Sequence, residues 1–363
     1  MISLCSTCNS RFKKDFPQGP CHICENQLDN LNQLLQNAEN AMSPEWKTFA
    51  LSTSISKKTL AKEEEAWDYS EGDCLKNWLN AKLSQHLENA TGKLYSPMNA
   101  EGRISINLST LEAKASNEPL FIFGRYKKLA RGICQSKWLC LKCNGSGCKH
   151  CNGKGKMYDE SIEELMGDAA ISQTGGKYAL HASGREDIDV LNFAGRPFIL
   201  QIKNPTTISI NLEKLAQEIN SEKKLELTDL KLVPPGSVAL VADSHFPKTY
   251  RAWISSDQPL TEEDSQKLSE FSFTLNQRTP ERVAHRRADK IRHRHAQILS
   301  SKLENNQILA DIKADPGTYI KELIHGDNGR TDPSISSFLN KPCTCARLDV
   351  ISIEDDFLTL HMG

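Results

Sequence analysis

The sequence predicts an α+β protein of two or three domains, carrying two small knuckles held by metal. Three observations carry this expectation. Short alternating or apolar segments are interleaved with only a few stretches of helical period. Eight of the 12 cysteines form four C-x-x-C pairs, a spacing that brings two thiolates to one tetrahedral ion. With 363 residues, 38% of them hydrophobic and 25% charged, the chain has an ordinary globular composition and, at roughly 150 residues per domain, enough length to bury cores without cross-links. No apolar run approaches the ~20 residues of a membrane helix. The opening MISLCSTCNS has no basic flank followed by an apolar stretch. The expectation is therefore a soluble, cytoplasmic protein with no membrane partner, and disulfides would need an oxidising compartment that nothing here targets.

In chain order, residues 1–28 read as a knuckle: Cys5/Cys8 and Cys21/Cys24 flank a polar arm with Arg11, Lys13 and Lys14. So short a segment has little core of its own, and a metal would have to hold it, the alternative being one metal-free pair with a chance second. Residues 29–70 are polar and weakly patterned. Leu75, Trp78, Leu79, Leu83 and Leu87 then recur at helical intervals until Gly92 punctuates the chain. Residues 103–108 alternate like a half-buried strand, and 120–123 read as another. A basic, aromatic-containing stretch over 124–138 leads into Cys140/Cys143 and Cys148/Cys151, crowded by glycines because a knuckle needs tight turns and open backbone N–H groups near sulfur. Four cysteines leave no open coordination position, so the metal would be structural. His150 replacing a cysteine, or a metal-free redox loop, are the alternatives.

Ser161 with Glu164 marks a brief helix start reaching Met166. Leu212, Leu215, Ala216 and Ile219 make a helix face, and 238–242 is a fully apolar strand candidate. Thr261 with Asp264 is a capping box, Asp standing for the usual Glu, ahead of a helix reaching Leu268. Residues 315–317 turn into an amphipathic helix with Tyr319, Ile320 and Leu323 facing inward, and 348–353 supply a closing strand.

The formal charge of −1 does not advertise nucleic acid. Locally the picture differs. Between Arg278 and Arg294 stand seven Arg or Lys against Glu281 and Asp289, a local +5 that leaves −6 over the rest of the chain. A polyanion would meet that patch, not the mean. Gly184-Arg185-Glu186-Asp187-Ile188-Asp189-Val190 puts three carboxylates beside an arginine. An Arg two residues before an Asp can clamp it and keep it ionised in a cleft, where it can act as nucleophile or base. Taken alone, such a motif is as well read as a solvated acidic turn. Tyr250 offers a ring for stacking and a phenol for hydrogen bonding, although a lone tyrosine is more often core or rim. Lys321 can project towards an acidic group. No G-x-G-x-x-G or Walker motif is present, so no dinucleotide or triphosphate cofactor is expected.

Together these pieces resemble the archaeal tRNA pseudouridine synthases that act at uridines 54 and 55. The resemblance is carried by Gly124-Arg-Tyr-Lys-Lys128, the Trp138 segment with its four cysteines, Gly184 to Val190 followed by Gly195-Arg-Pro-Phe198, and Lys248-Thr-Tyr-Arg-Ala252. It continues through Gln277 to Asp289, Gly317 to His325 and Gly329-Arg-Thr-Asp-Pro333. It is dense from about residue 120 onward and thinner over 30–115.

The resemblance implies a catalytic domain at 124–363 with a central mixed, mainly antiparallel sheet and a four-cysteine insert at 140–151. It also implies a THUMP-containing RNA-binding domain at 29–123 and a zinc knuckle at 1–28. It makes Asp187 the catalytic aspartate, with Asp189 its nearest rival. Tyr250 becomes the tyrosine that packs on the target base, Lys321 the basic partner of the aspartate, and Leu323 a hydrophobic floor; Arg185 and Tyr319 join the substrate site. A lysine at 321, where related synthases often carry arginine, keeps the charge but loses the bidentate fork. Cys134 stands where a proline is common. The implied reaction converts uridine 55, and uridine 54, of the tRNA T-loop to pseudouridine, with structural Zn2+ on Cys5, Cys8, Cys21, Cys24 and on Cys140, Cys143, Cys148, Cys151. No organic cofactor is needed because the reaction is an isomerisation, and no obligate protein partner is implied. The basic stretch, with Arg286 and Arg287, suits phosphate contacts.

Two rival classes remain open at this point. A non-catalytic zinc-containing RNA-binding protein accounts for the charge and the cysteines but not for Asp187, Tyr250 and Lys321 together. A zinc deaminase or hydrolase needs H-x-E followed by P-C-x-x-C, whereas Pro20-Cys21-His-Ile-Cys24 precedes His86-Leu-Glu88 here.

Overall fold

The computed structural model describes residues 2–285 and 287–362. They divide into two compact units. One comprises the chain up to Leu120 with 174–177 and 203–210; the other comprises Phe121–Gln173, Tyr178–Ile202 and the chain from Asn211 onward.

The first unit runs through α1 (Ser6–Asn9), α2 (Leu31–Ala41), β1 (Thr48–Ser54), α3 (Lys57–Trp67), α4 (Leu75–Thr91), β2 (Leu94–Tyr95), β3 (Gly102–Asn107) and β4 (Glu112–Asn117). Helix α4 buries Leu75, Leu79, Leu83 and Leu87, one residue per turn, and Gly92 closes it at φ 70° with its N–H on Glu88 O. Only glycine takes that left-handed cap without a Cβ penalty. The sheet runs β2-β1-β3-β4, parallel on both sides of β1 and antiparallel at β3–β4. Leu4, Phe12, Ile23 and Leu28 of the cysteine-rich start join Leu34, Phe49, Leu79 and Leu83 in one core. Segment 29–70, weakly patterned in sequence, holds α2, β1 and α3. Its helices bury little that looks apolar: Leu34 and Ala38 in α2, and Thr59, Glu63 and Ala66 in α3. Glu63 is buried because it accepts from Arg11 Nη1 and, at 2.8 Å, from the Leu75 N–H that opens α4.

The second unit contains β5 (Leu120–Lys128), α5 (Ile162–Thr174), β6 (Lys177–Ala182), β7 (Leu191–Lys203), α6 (Leu212–Ser221), β8 (Leu225–Leu232), α7 (Ser237–Ala242), β9 (Lys248–Ser256), α8 (Glu262–Leu268), β10 (Ser272–Arg278), α9 (Glu281–Ala284), β11 (Ile291–Glu304), β12 (Gln307–Ala314), α10 (Ile320–His325), β13 (Thr331–Asp332), α11 (Ile335–Leu339), β14 (Cys343–Ile353) and α12 (Asp356–Met362). Its sheet runs β13-β10-β11-β12-β9-β14-β7-β5-β8, with β6 on β7. Neighbours from β13 to β14 pair antiparallel, and β14 meets β7 in parallel through Asp349 opposite Leu191. The sheet is mixed and mainly antiparallel, as expected. Ala252, Ile254, Ile298, Ile312, Leu323 and Val350 form its main core.

Both capping signals form: Glu164 N–H donates to Ser161 Oγ at 3.1 Å, and Thr261 and Asp264 cap α8 reciprocally. The helix after Ser161 is longer than the brief start expected, 13 residues in all. One expectation is corrected. Residues 238–242, apolar throughout and expected as a strand, form α7, which buries only Ser237 and Val241. A short apolar run has no period by which to tell helix from strand. Among the described residues no helix is long and apolar enough to cross a membrane.

Candidate active site

Asp187 lies in the loop between β6 and β7, and its backbone is tied down before its side chain is. Its carbonyl accepts from Val190 N–H and from Lys128 Nζ, both at 3.1 Å, and the same ammonium reaches Ile188 O at 2.8 Å. Lys128 sits in the last position of β5, and burial lowers its pKa against the raising influence of Glu186 and Asp189. Ile188 O also accepts from Gly132 N–H at 3.0 Å, while Arg131 holds Asp189 O and the buried Asp349 carboxylate.

The three carboxylates of the motif part company here. Glu186 turns inward, its side chain 1% exposed, and accepts from Arg196 Nε at 2.7 Å and Tyr126 Oη at 3.1 Å. Arg196 Nη1 also donates to Ser183 O at 2.6 Å, and Gln135 Nε2 to Tyr126 Oη and Gly184 O. Asp189 points outward, with a side chain 66% exposed. Asp187 is intermediate at 33%.

Two cations converge on Asp187. Arg282 of α9 reaches Oδ1 with Nη1 at 3.3 Å and Oδ2 with Nη2 at 3.2 Å. Lys321 of α10 is 3.5 Å from Asp187 Oδ2 but 2.8 Å from both oxygens of Asp189. Burial opposes the Asp189 charge, yet Lys321 outweighs it and keeps that carboxyl below its usual range. Behind them Arg282 Nε donates to Glu322 Oε1 at 2.6 Å. Burial works against the Arg282 charge too, but Glu322 and Asp187 more than offset it and hold its pKa above the ordinary value. These groups border a cleft of about 250 Å³, walled also by Cys134, Gln135, Trp138 and Arg185.

Of the other expected residues, Arg185 is exposed on the cleft wall. Tyr250, on β9 opposite Val350 and Ile312, is half-buried against the core. Burial, with the Glu186 and Asp187 charges adding and Arg196 opposing, pushes its phenol up to about 12. Tyr319 precedes α10, its backbone bracketed by Gln277 and its ring 5.9 Å from the Arg282 guanidinium carbon. Leu323, expected as a floor for the substrate, is wholly buried in the main core and offers no exposed surface. Arg287 is exposed, and Arg286 lies outside the described residues. Sequence reasoning missed Arg282, Glu322 and Lys128. Arg282 counted only as one charge in a basic run; the signal that singles it out, Glu322 beside Lys321, becomes visible once α10 is placed.

Each cysteine set comes together as four sulfurs with all ligand atoms within 4.8 Å of one another. Cys5 and Cys24 sulfurs lie 3.7 Å apart, Cys140 and Cys148 3.9 Å, and Cys143 and Cys151 3.8 Å. Tetrahedral thiolates on zinc at ~2.3 Å would be separated by about 3.8 Å, so the donor sets fit such an ion. Backbone N–H groups of Cys8, Cys24 and Gly155 point at Cys5, Cys21 and Cys151 sulfur. His150 is in neither set.

A family model described as Pus10, C-terminal, matches residues 121–354. The chain belongs to the Pus10 family of tRNA pseudouridine synthases. A relative named tRNA pseudouridine synthase Pus10 from Methanocaldococcus jannaschii is 44% identical over 70% of this chain, which spans 57% of that relative's length. One of the same name from Archaeoglobus fulgidus is 32% identical over 97% of this chain and all of its own. A solved Cbf5-Nop10-Gar1 complex overlaps 54% of this chain and 45% of its own at 16% identity and TM-score 0.30. The Pus10 match spans Asp187, Arg282, Lys321 and the second cysteine set; the first set precedes it.

Proposed function

We propose that this Pus10-family protein isomerises uridine 55, and uridine 54, of the tRNA T-loop to pseudouridine, with Asp187 as the catalytic carboxylate. The observation that carries this reading is the convergence of Arg282 and Lys321 on Asp187 inside the cleft. Two cations on one carboxylate fix where it points. Asp189 is the weaker candidate because its side chain is 66% exposed and it takes both short contacts from Lys321.

In the reaction the N1–C1′ bond breaks, the uracil turns while held, C5 joins C1′, the C5 proton is released to solvent and N1 takes up a proton from it. Atoms and electrons balance without an oxidant or a donor. The Asp187 carboxylate has three ways to begin: attack at C1′, attack at C6, or removal of a ribose proton. In each the base must first leave its stack; Tyr250 would receive it, with Arg185 on the cleft wall and Tyr319 beside Arg282. Arg286 and Arg287 would contact phosphate. The first unit would act as the THUMP-containing RNA-binding part, and the setting would be the cytoplasm.

We further infer that each cysteine set holds one Zn2+ through four thiolates. Such ions staple their knuckles, and the all-sulfur sets leave no position for a hydrolytic water. The decisive experiment measures tritium release from C5-labelled uridine in unmodified tRNA. Asp187→Asn should bind tRNA and release none, whereas Asp189→Asn should retain turnover. Substantial release by Asp187→Asn would move the role to another group. Turnover undiminished on tRNA lacking its T-arm would overturn the target assignment.

A further inference from the structure

We propose that Arg282 is the positioning residue that orients Asp187 for reaction, supplying the two-pronged clamp that Lys321 cannot make, with Glu322 anchoring it from the core. This rests on the reading of Asp187 as the catalytic carboxylate.

A guanidinium is a rigid plane, and two carboxylates engaged on different edges fix that plane in position and in angle. Arg282 uses all three nitrogens this way. Nε donates to Glu322 Oε1 at 2.6 Å, while Nη1 and Nη2 approach Asp187 Oδ1 and Oδ2 at 3.3 and 3.2 Å. Glu322 is a firm anchor. Its side chain is 1% exposed, and its second oxygen, buried, has no partner among the described residues. A carboxylate so deeply placed needs its cation, so Glu322 holds Arg282 whether or not Asp187 is in place.

Lys321 cannot do the same work. An ammonium is a point charge that fixes distance but not rotation. Its short contacts, 2.8 Å to each oxygen, go to Asp189, and Asp187 lies at 3.5 Å. The rotation of the Asp187 carboxylate is therefore set by Arg282. Both cations are governed from one helix turn. Lys321 reaches the cleft directly, Glu322 holds Arg282, and the Tyr319 ring lies 5.9 Å from its guanidinium carbon.

Arg282 also belongs to the basic run 278–294, so the competing role is a phosphate contact, and the two roles separate cleanly. Misplacing a reacting group by about 1 Å can cost roughly 100-fold in rate. Arg282→Ala should therefore lower the single-turnover rate at saturating tRNA by about that factor, with tRNA affinity nearly unchanged. Millimolar methylguanidinium should restore part of the rate to Arg282→Ala and none to Asp187→Asn. Arg282→Lys, which keeps the charge and a partner for Glu322, guards against misfolding. It should fold normally yet stay well below wild type, and Glu322→Gln should give a smaller loss in rate with affinity held. Weakened affinity with an unchanged rate, or Arg282→Lys at the wild-type rate, would overturn the proposal. Turnover by Asp187→Asn would instead defeat the reading beneath it, so the two failures are distinguishable.

Discussion

Replacing Arg196 by methionine tests what holds the loop bearing Asp187 in shape. The pair Arg196–Glu186 is sealed, each side chain 1% exposed, and Tyr126 shares the same carboxylate. Removing one partner of a buried pair leaves an uncompensated charge and typically costs about 3–5 kcal/mol. Arg196 also serves the carbonyl of Ser183 at 2.6 Å, and losing such a bond adds roughly 1 kcal/mol. Arg196→Met should thus lose about 4–6 kcal/mol, read as a lowered urea midpoint followed by circular dichroism. Adding Glu186→Gln removes the stranded charge. The double variant should recover at least about 1–2 kcal/mol relative to the sum of the single changes, the signature of coupled neighbours. Both variants should also slow single turnover, because Glu186 is the residue before Asp187. A loss under about 1 kcal/mol for Arg196→Met, or strict additivity in the double variant, would refute the reasoning.

Three further outcomes are expected. Burial, with Arg196 adding and Glu186 and Asp355 opposing, lowers the Lys248 pKa from 10.5 to about 8. Between those values the folded state has lost a proton that the unfolded state keeps, so stability should rise with pH across about 8 to 10.5; urea midpoints for Lys248→Met should lack that rise. Metal analysis with X-ray absorption should find two zinc ions per chain, each with four sulfur neighbours; Cys143→Ser should lose one ion and keep the other. In tRNA binding against salt, Arg287→Ala with Lys290→Ala should flatten the slope by roughly 0.7–0.9 for each phosphate contact removed. Arg278→Ala should change it less, because Asp289 already takes Arg278 at 2.6 Å; equal slopes for wild type and the first variant would place the contacts elsewhere.

What was legible in the sequence was whatever repeats or carries its own local signal. The Leu75–Leu87 stripe, the caps at Ser161 and Thr261, and the cysteine pairs each depend on near neighbours, and each formed. Helix α7 was misread because five apolar residues carry no period. Helix α3 was unseen because its buried face includes Thr59 and Glu63, polar residues made comfortable by partners such as Arg11, 52 residues away from Glu63. The site divides the same way. Asp187 and Lys321 stand in recognisable motifs, whereas Arg282 gains its place only through Glu322, 40 residues on, and Asp187, 95 residues back. Leu323 faces inward as its helical spacing indicates, and it is wholly buried in the core. Long-range charge pairing leaves no mark on local pattern.

The position of β14 has a consequence for how the molecule is made. Among the described residues it is the last strand in sequence, yet it lies between β9 and β7, and through Asp349 it holds Arg131, Arg347 and the Leu191 N–H at the far end of the loop bearing Asp187. During synthesis, β5 to β8 and β9 to β13 emerge first, each half able to begin its own pairing. Neither can be joined to the other until residues 343–353 leave the ribosome. The nascent chain therefore exposes two unpaired sheet edges, on β7 and β9, for the interval in which β14 is awaited, the kind of surface on which chains stick to one another. The loop bearing Asp187, held within its own half by Lys128, Gly132 and Arg196, meets Arg282 and Lys321 only once β14 has joined the halves, so the cleft is completed after its loop is already in place.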